Sequence, residues 1–138
     1  MSIESWLQND WLTREESSVA EIQKPLQVVD RERGDARVRG LSPDGQFEHA
    51  YDAALQLCLV ALRAAGFRPK KGGGHHVRGL ESLRFTLGSQ WKNTADYLSR
   101  CNRLRGQVVY DHVDVATRED AAELIDLADE LRSDVITG

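Results

Sequence analysis

The chain has 138 residues, 41% hydrophobic and 29% charged, with a formal net charge of −4. That balance excludes a disordered chain, and the length suits a single domain around one core. No apolar run suits a membrane span, and Met1-Ser2-Ile3-Glu4 opens no basic-then-apolar leader, so a cytoplasmic protein without a membrane partner is expected.

In chain order, the first element is a short amphipathic piece over 5–12, with Trp6, Leu7, Trp11 and Leu12. Two Trp so close together point to a docking contact or core rather than ligand stacking. Ser18 with Glu21 three residues on makes a capping box, and Ile22, Leu26 and Val29 follow at helical spacing. Pro25 should kink this helix or start it afresh. The mixed charges over 30–39 read as a solvated helix end or loop. Ser42-Pro43 is a strong helix start. The helix from Pro43 to Ala65 carries Phe47, Tyr51, Ala54, Cys58 and Ala61 on one stripe and Leu55, Leu59 and Leu62 on a second. Apolar residues around so much of the circumference mark a central helix, stopped by Gly66. His49 and Asp52 on it default to the surface.

Residues 67–74 read as a loop with three consecutive glycines. A helix then starts at His75 or His76, buries Val77, Leu80, Leu83 and Leu87, and ends at Gly88. The next helix runs from Trp91 to about His112, with Gly106 a weak point costing roughly 1 kcal/mol against Ala. Thr117 caps the last helix, with Asp120 three residues on and Ala121, Leu124, Ala128 and Leu131 as its stripe. The expected fold is all-α with no sheet: an antiparallel four-helix bundle with an additional short N-terminal helix. One domain spans 1–138, with 1–17 a docking segment and 18–135 the bundle.

Cys58 and Cys101 sit at apolar-periodic positions and read as buried free thiols. No C-x-x-C or H-x₃-H spacing exists, so neither a metal nor another cofactor is expected. Charge is unevenly spread. Between Arg63 and Arg105 ten Lys/Arg face only Glu81 and Asp96; that stretch carries +8 and the rest of the chain −12. A basic middle is either a phosphate-binding surface or a solvated face. Lys70-Lys71-Gly72-Gly73-Gly74 is likewise a flexible connector or an RNA-backbone contact, the latter with His75 and His76 beside it.

The most informative stretch is Arg100 to His112. At 100° per residue, Trp91, Ala95, Leu98, Cys101 and Val109 share one face, and Arg105 and His112 fall on it too. A cation and an imidazole on an apolar stripe need a job or a partner. Arg105 could instead reach a carboxylate such as Asp52 or Asp111.

Ala50-Tyr51-Asp52-Ala53-Ala54-Leu55, Gly66-Phe67-Arg68-Pro69, His75-His76 and the run from Arg105 to Asp111 carry a resemblance. Over roughly Val19 to Leu131 the chain resembles the HEPN superfamily, in particular its small stand-alone bacterial branch. The resemblance implies a helical bundle that forms a homodimer, and an activity like that of metal-independent endoribonucleases of toxin–antitoxin or defence systems. The family signature is an Arg, four to six residues, then a His; Arg105 and His112 enclose six. In the commonest form the His lies five positions after the Arg, where this chain has Tyr110, and a polar residue follows the Arg, where it has Gly106. The resemblance therefore leaves two functions open. One is RNA cleavage with Arg105, His112 and Tyr110 catalytic and Asn102, Arg103, Lys70, Lys71, His75 and His76 binding substrate. The other is a non-catalytic module that binds RNA, nucleotide or a nucleotidyltransferase-type antitoxin.

The chemistry suits those residue types. Cleavage without metal needs proton transfer at the 2′-OH and the leaving oxygen, which a His near neutral pH supplies. It also needs a fork of donors for the phosphorane charge, which Arg supplies. One pair per chain is few, and a two-fold dimer would double it.

Overall fold

Three hydroxyl caps set the long helices. The computed structural model describes residues 2–71, 74–110 and 115–137, with side chains except at 107–110 and 136–137. Ser18 Oγ accepts from the Glu21 amide at 3.2 Å, and the Ser18 amide donates back to Glu21 at 3.1 Å. This box opens α2 (Val19–Asp35). Ser42 Oγ accepts from the Gly45 amide at 3.1 Å and Pro43 occupies the first turn of α3 (Pro43–Ala64). Thr117 and Asp120 exchange two bonds of 3.0 Å at the start of α7 (Arg118–Thr137). Each cap satisfies amides that the first helical turn leaves bare.

The chain is mostly helical, and α3 is its centre. It packs against α2 and α7 along their length and also meets α6 (Lys92–Tyr110) and α4 (His75–Glu81). Phe47, Tyr51, Leu57 and Cys58 from α3 are buried with Val29, Leu80, Leu98, Leu124 and Leu131. Each such Leu contributes roughly 1.5–3 kcal/mol of burial. Both thiols are free and buried; burial pushes Cys58 up to about 12 and Cys101 up to about 11, which disfavours the thiolate. Among the described residues no helix is long and apolar enough to cross a membrane.

Four expectations need correction. A small sheet exists: β1 (Leu12–Arg14) pairs antiparallel with β2 (Phe67–Pro69), in the register Leu12 with Pro69, Thr13 with Arg68 and Arg14 with Phe67. Part of the expected 67–74 loop is therefore strand. Its ends are extended by Glu15 N–H to Gly66 O and Lys70 N–H to Trp11 O, both 2.9 Å. Next, of the two outcomes expected at Pro25, the restart does not occur: α2 runs through it. The charged run after Val29 is not simply solvated. It continues α2 to Asp35 and crosses to α7: Arg132 forks onto Asp30 at 2.9 and 3.1 Å, and Arg33 and Arg37 both reach Asp129. Finally, the helix expected from His75 to Gly88 breaks at buried Ser82, whose hydroxyl donates to Gly79 O at 2.6 Å. This separates α4 from α5 (Leu83–Thr86).

The N-terminal helix α1 (Ile3–Gln8) buries Trp6. The Trp6 ring stands edge-on to Trp11 at 6.0 Å and to Phe85 at 5.1 Å. With Leu12 and Leu62 these rings form a second small core over the ribbon.

Candidate functional site

Arg105 sits on α6 one turn beyond Cys101, where the core face meets solvent. Its side chain is 31% exposed. A guanidinium nitrogen lies 3.8 Å from Glu48 and 3.9 Å from Asp52, both on α3. The same guanidinium lies over the Tyr51 ring at 5.6 Å. Its Nε is buried, with no hydrogen-bond partner among the described residues. The carboxylates are thus near enough to attract the cation and too far to satisfy its donors.

Tyr51 lies beneath the guanidinium. It is buried, and its hydroxyl donates to Asn102 Oδ1 at 2.7 Å, tying α3 to α6 next to Arg105. Burial raises its pKa, with only partial relief from Arg105, so the phenol stays neutral. Asp52 is raised too, chiefly by desolvation; Arg105 lowers it, while Glu32 and Glu48 raise it further.

The remaining residues singled out in the sequence divide. His75 and His76 lie at the start of α4 with ring centroids 4.1 Å apart. His76 is held below the usual imidazole range by desolvation, by His75 and by Arg105, which brings α4 electrostatically to the Arg105 site. Asn102 is at the site, engaged by Tyr51. Arg103 is exposed and projects elsewhere, being two positions from Arg105 on a helix. Lys70 is far from this cluster in contacts: its ammonium pairs with Asp10 at 2.5 Å. Lys71 is exposed and lines a different cavity, shared with the histidines. Tyr110 ends α6, and its side chain lies outside the described residues, as does His112 altogether.

Sequence reasoning named Asp52 as one Arg105 partner and missed Glu48, which precedes Asp52 by one helical turn. It also assigned His49 and Asp52 to the surface. Both are half-buried, because α2 packs over this part of α3. His49 Nδ1 lies 2.7 Å from Glu32 Oε2, and ligand atoms of Glu32, Asp35 and His49 fall within 4.8 Å of one another. Such an imidazole and carboxylate set has the donor types that divalent transition metals take. The Glu32 and Asp35 spacing on one helix face was the legible signal.

No family model, curated protein or solved structure matches the chain.

Proposed function

We propose that the chain is a HEPN-like protein directed at RNA, a metal-independent endoribonuclease of toxin–antitoxin or defence type. In this reading α2, α3, α6 and α7 form an antiparallel four-helix bundle, and two copies join so that Arg105 and His112 of each face one cleft. The observation that carries it is the state of Arg105. A half-buried cation with an unused buried donor is costly to hold without a ligand that completes it, and a phosphate oxygen would do so. Arg105 grips the scissile phosphate, His112 moves the proton, and Tyr110 assists from the adjacent turn.

The test is RNA cleavage in EDTA by wild type, Arg105→Ala, Arg105→Lys, His112→Ala and Tyr110→Phe, each first shown folded and of wild-type oligomeric state. The Arg105→Ala and His112→Ala variants should lose roughly 100-fold or more in rate. Normal cutting by His112→Ala with loss in Tyr110→Phe would reassign the proton to the tyrosine. A monomer by light scattering at micromolar concentration removes the shared cleft.

A second reading has its own support. Glu48 and Asp52 already face the guanidinium and would repel a phosphate. A non-catalytic module that binds RNA, nucleotide or a nucleotidyltransferase-type antitoxin fits that arrangement. Binding of RNA by a wild type that never cuts it decides for this reading.

A further inference from the structure

A cavity of about 230 Å³ lies where α3, β2 and the start of α4 meet, and its lining includes none of Arg105, Glu48, Asp52, Tyr51 and Asn102. Three cations and two imidazoles line it: Arg63 from α3, Arg68 from β2, Lys71 from the connection, and His75 and His76 from α4. Leu59 and neighbouring prolines supply an apolar wall, and Gln56 an amide. Among the described residues no carboxylate lines the cavity. Two of these cations also meet groups outside the lining, and Arg63 Nε donates to Ser17 Oγ at 3.3 Å. Glu21 lies 3.6 Å from Arg63, and Glu15 lies 3.3 Å from Arg68. The Glu15 contact is an ion pair but not a hydrogen bond, because the buried Arg68 Nε has no acceptor in line.

The ribbon creates this arrangement. Pairing β2 with β1 sets Arg68 opposite Thr13, and Arg68 lines the cavity together with Arg63. On the other wall, α4 packs closely on α3. A Cβ on Gly79 would come within 2.8 Å of Leu59 Cδ2, so the glycine lets the histidine-bearing helix approach.

From this lining we propose that the cavity binds a small organic phosphomonoester. The phosphate would lie among Arg63, Arg68 and Lys71, and the short organic body against Leu59 and the imidazoles. Three cations with planar forks among them match a dianion with three terminal oxygens better than a carboxylate. The volume is below the roughly 300 Å³ at which drug-sized sites begin, so the body is about the size of a pentose. Gln56 is available to its hydroxyls. The site does not depend on RNA cleavage or on His112.

The experiment is calorimetric titration of the full chain with ribose 5-phosphate at low salt, beside inorganic phosphate, ribose and a short RNA oligonucleotide without terminal phosphate. Ribose 5-phosphate should bind, tighter than inorganic phosphate, and ribose should not. Lys71→Gln and Arg68→Gln should each weaken it about tenfold, the loss of one charge-assisted contact. Lys92→Gln, an exposed α6 residue outside the cavity, should leave it unchanged. Lys71 is exposed, so its variant keeps the test valid if Arg68→Gln disturbs the ribbon. The proposal is overturned if ribose 5-phosphate does not bind at millimolar concentration. Binding that ignores both cavity substitutions, or binding confined to the oligonucleotide, overturns it as well.

Discussion

At Arg105 two demands oppose each other. The guanidinium is more than two-thirds buried and needs acceptors, yet Glu48 and Asp52 stand at 3.8 and 3.9 Å. Asp52 is itself unfavourably placed, its carboxyl raised by desolvation more than Arg105 lowers it. A carboxyl raised in the fold contributes most below its ordinary value of 3.8 and loses that contribution as pH rises through its folded value. Asp52→Asn removes this loss, so its melting temperature relative to wild type should improve as pH rises above the ordinary carboxylate value of 3.8. Glu48 remains to balance the arginine, so folding survives. The same substitution removes a charge that repels phosphate, so RNA binding should tighten by several-fold, measured by fluorescence anisotropy at fixed salt. Weaker RNA binding by a folded Asp52→Asn would mean that the carboxylate belongs to the binding surface and that Arg105 is not the phosphate grip.

At the scale of elements, two glycines in helical surroundings should respond in opposite directions. Gly66 follows the end of α3 at φ +95°, a conformation that disfavours a side chain, and its carbonyl accepts the Glu15 amide that anchors the ribbon. Gly66→Ala should cost about 1–2 kcal/mol, lowering the melting temperature by roughly 3–8 °C. Gly106 lies inside α6, and a Cβ there meets nothing within 4 Å. Gly106→Ala should stabilise by about 0.5–1 kcal/mol. Thermal melts of both variants check the pair, and a stabilised Gly66→Ala would contradict the role given to that terminus. These glycines also show what was legible. Caps at Ser18, Ser42 and Thr117, the α3 stop and the apolar stripe of α6 are local signals, so neighbouring residues announce them. The ribbon is not local. Its strands have three residues each, too few for a period of two, and Leu12 pairs with Pro69 across most of α2 and α3. Nor was the break at Ser82 legible, since the Leu80 and Leu83 spacing reads as one helix on either side of it. At the site, Arg105 stood out because charge on an apolar stripe is anomalous, whereas Glu48 was ordinary until α6 packed against α3.

Over the whole molecule, folding redistributes the charge asymmetry of the sequence. The basic stretch of ten Lys/Arg does not form an undivided cationic surface. Arg63 meets Glu21, Arg68 meets Glu15, Lys70 meets Asp10, and Arg105 meets Glu48 and Asp52, all acids from the N-terminal part of the chain; Arg84 meets Asp96. Arg78 and Arg100 lie against the Trp11 and Tyr97 rings. Among the described residues, five of the ten cations are therefore in ion pairs. Ten phosphate contacts on single-stranded RNA would give a slope of log K against log salt near −7, at about −0.7 per contact. With five cations already balanced, the slope should be no steeper than roughly −4. The individual lysines should differ as well. Lys71 is exposed and lines a cation-rich cavity, so Lys71→Ala should flatten the slope by about 0.7 if RNA runs over it. Lys70 is matched by Asp10 at 2.5 Å, so Lys70→Ala should change it less. Affinity measured from about 50 to 200 mM salt on wild type and both variants tests this. A slope near −7, with both lysines contributing equally, would show that RNA displaces the internal acids and that the pairing seen in the fold does not limit the surface.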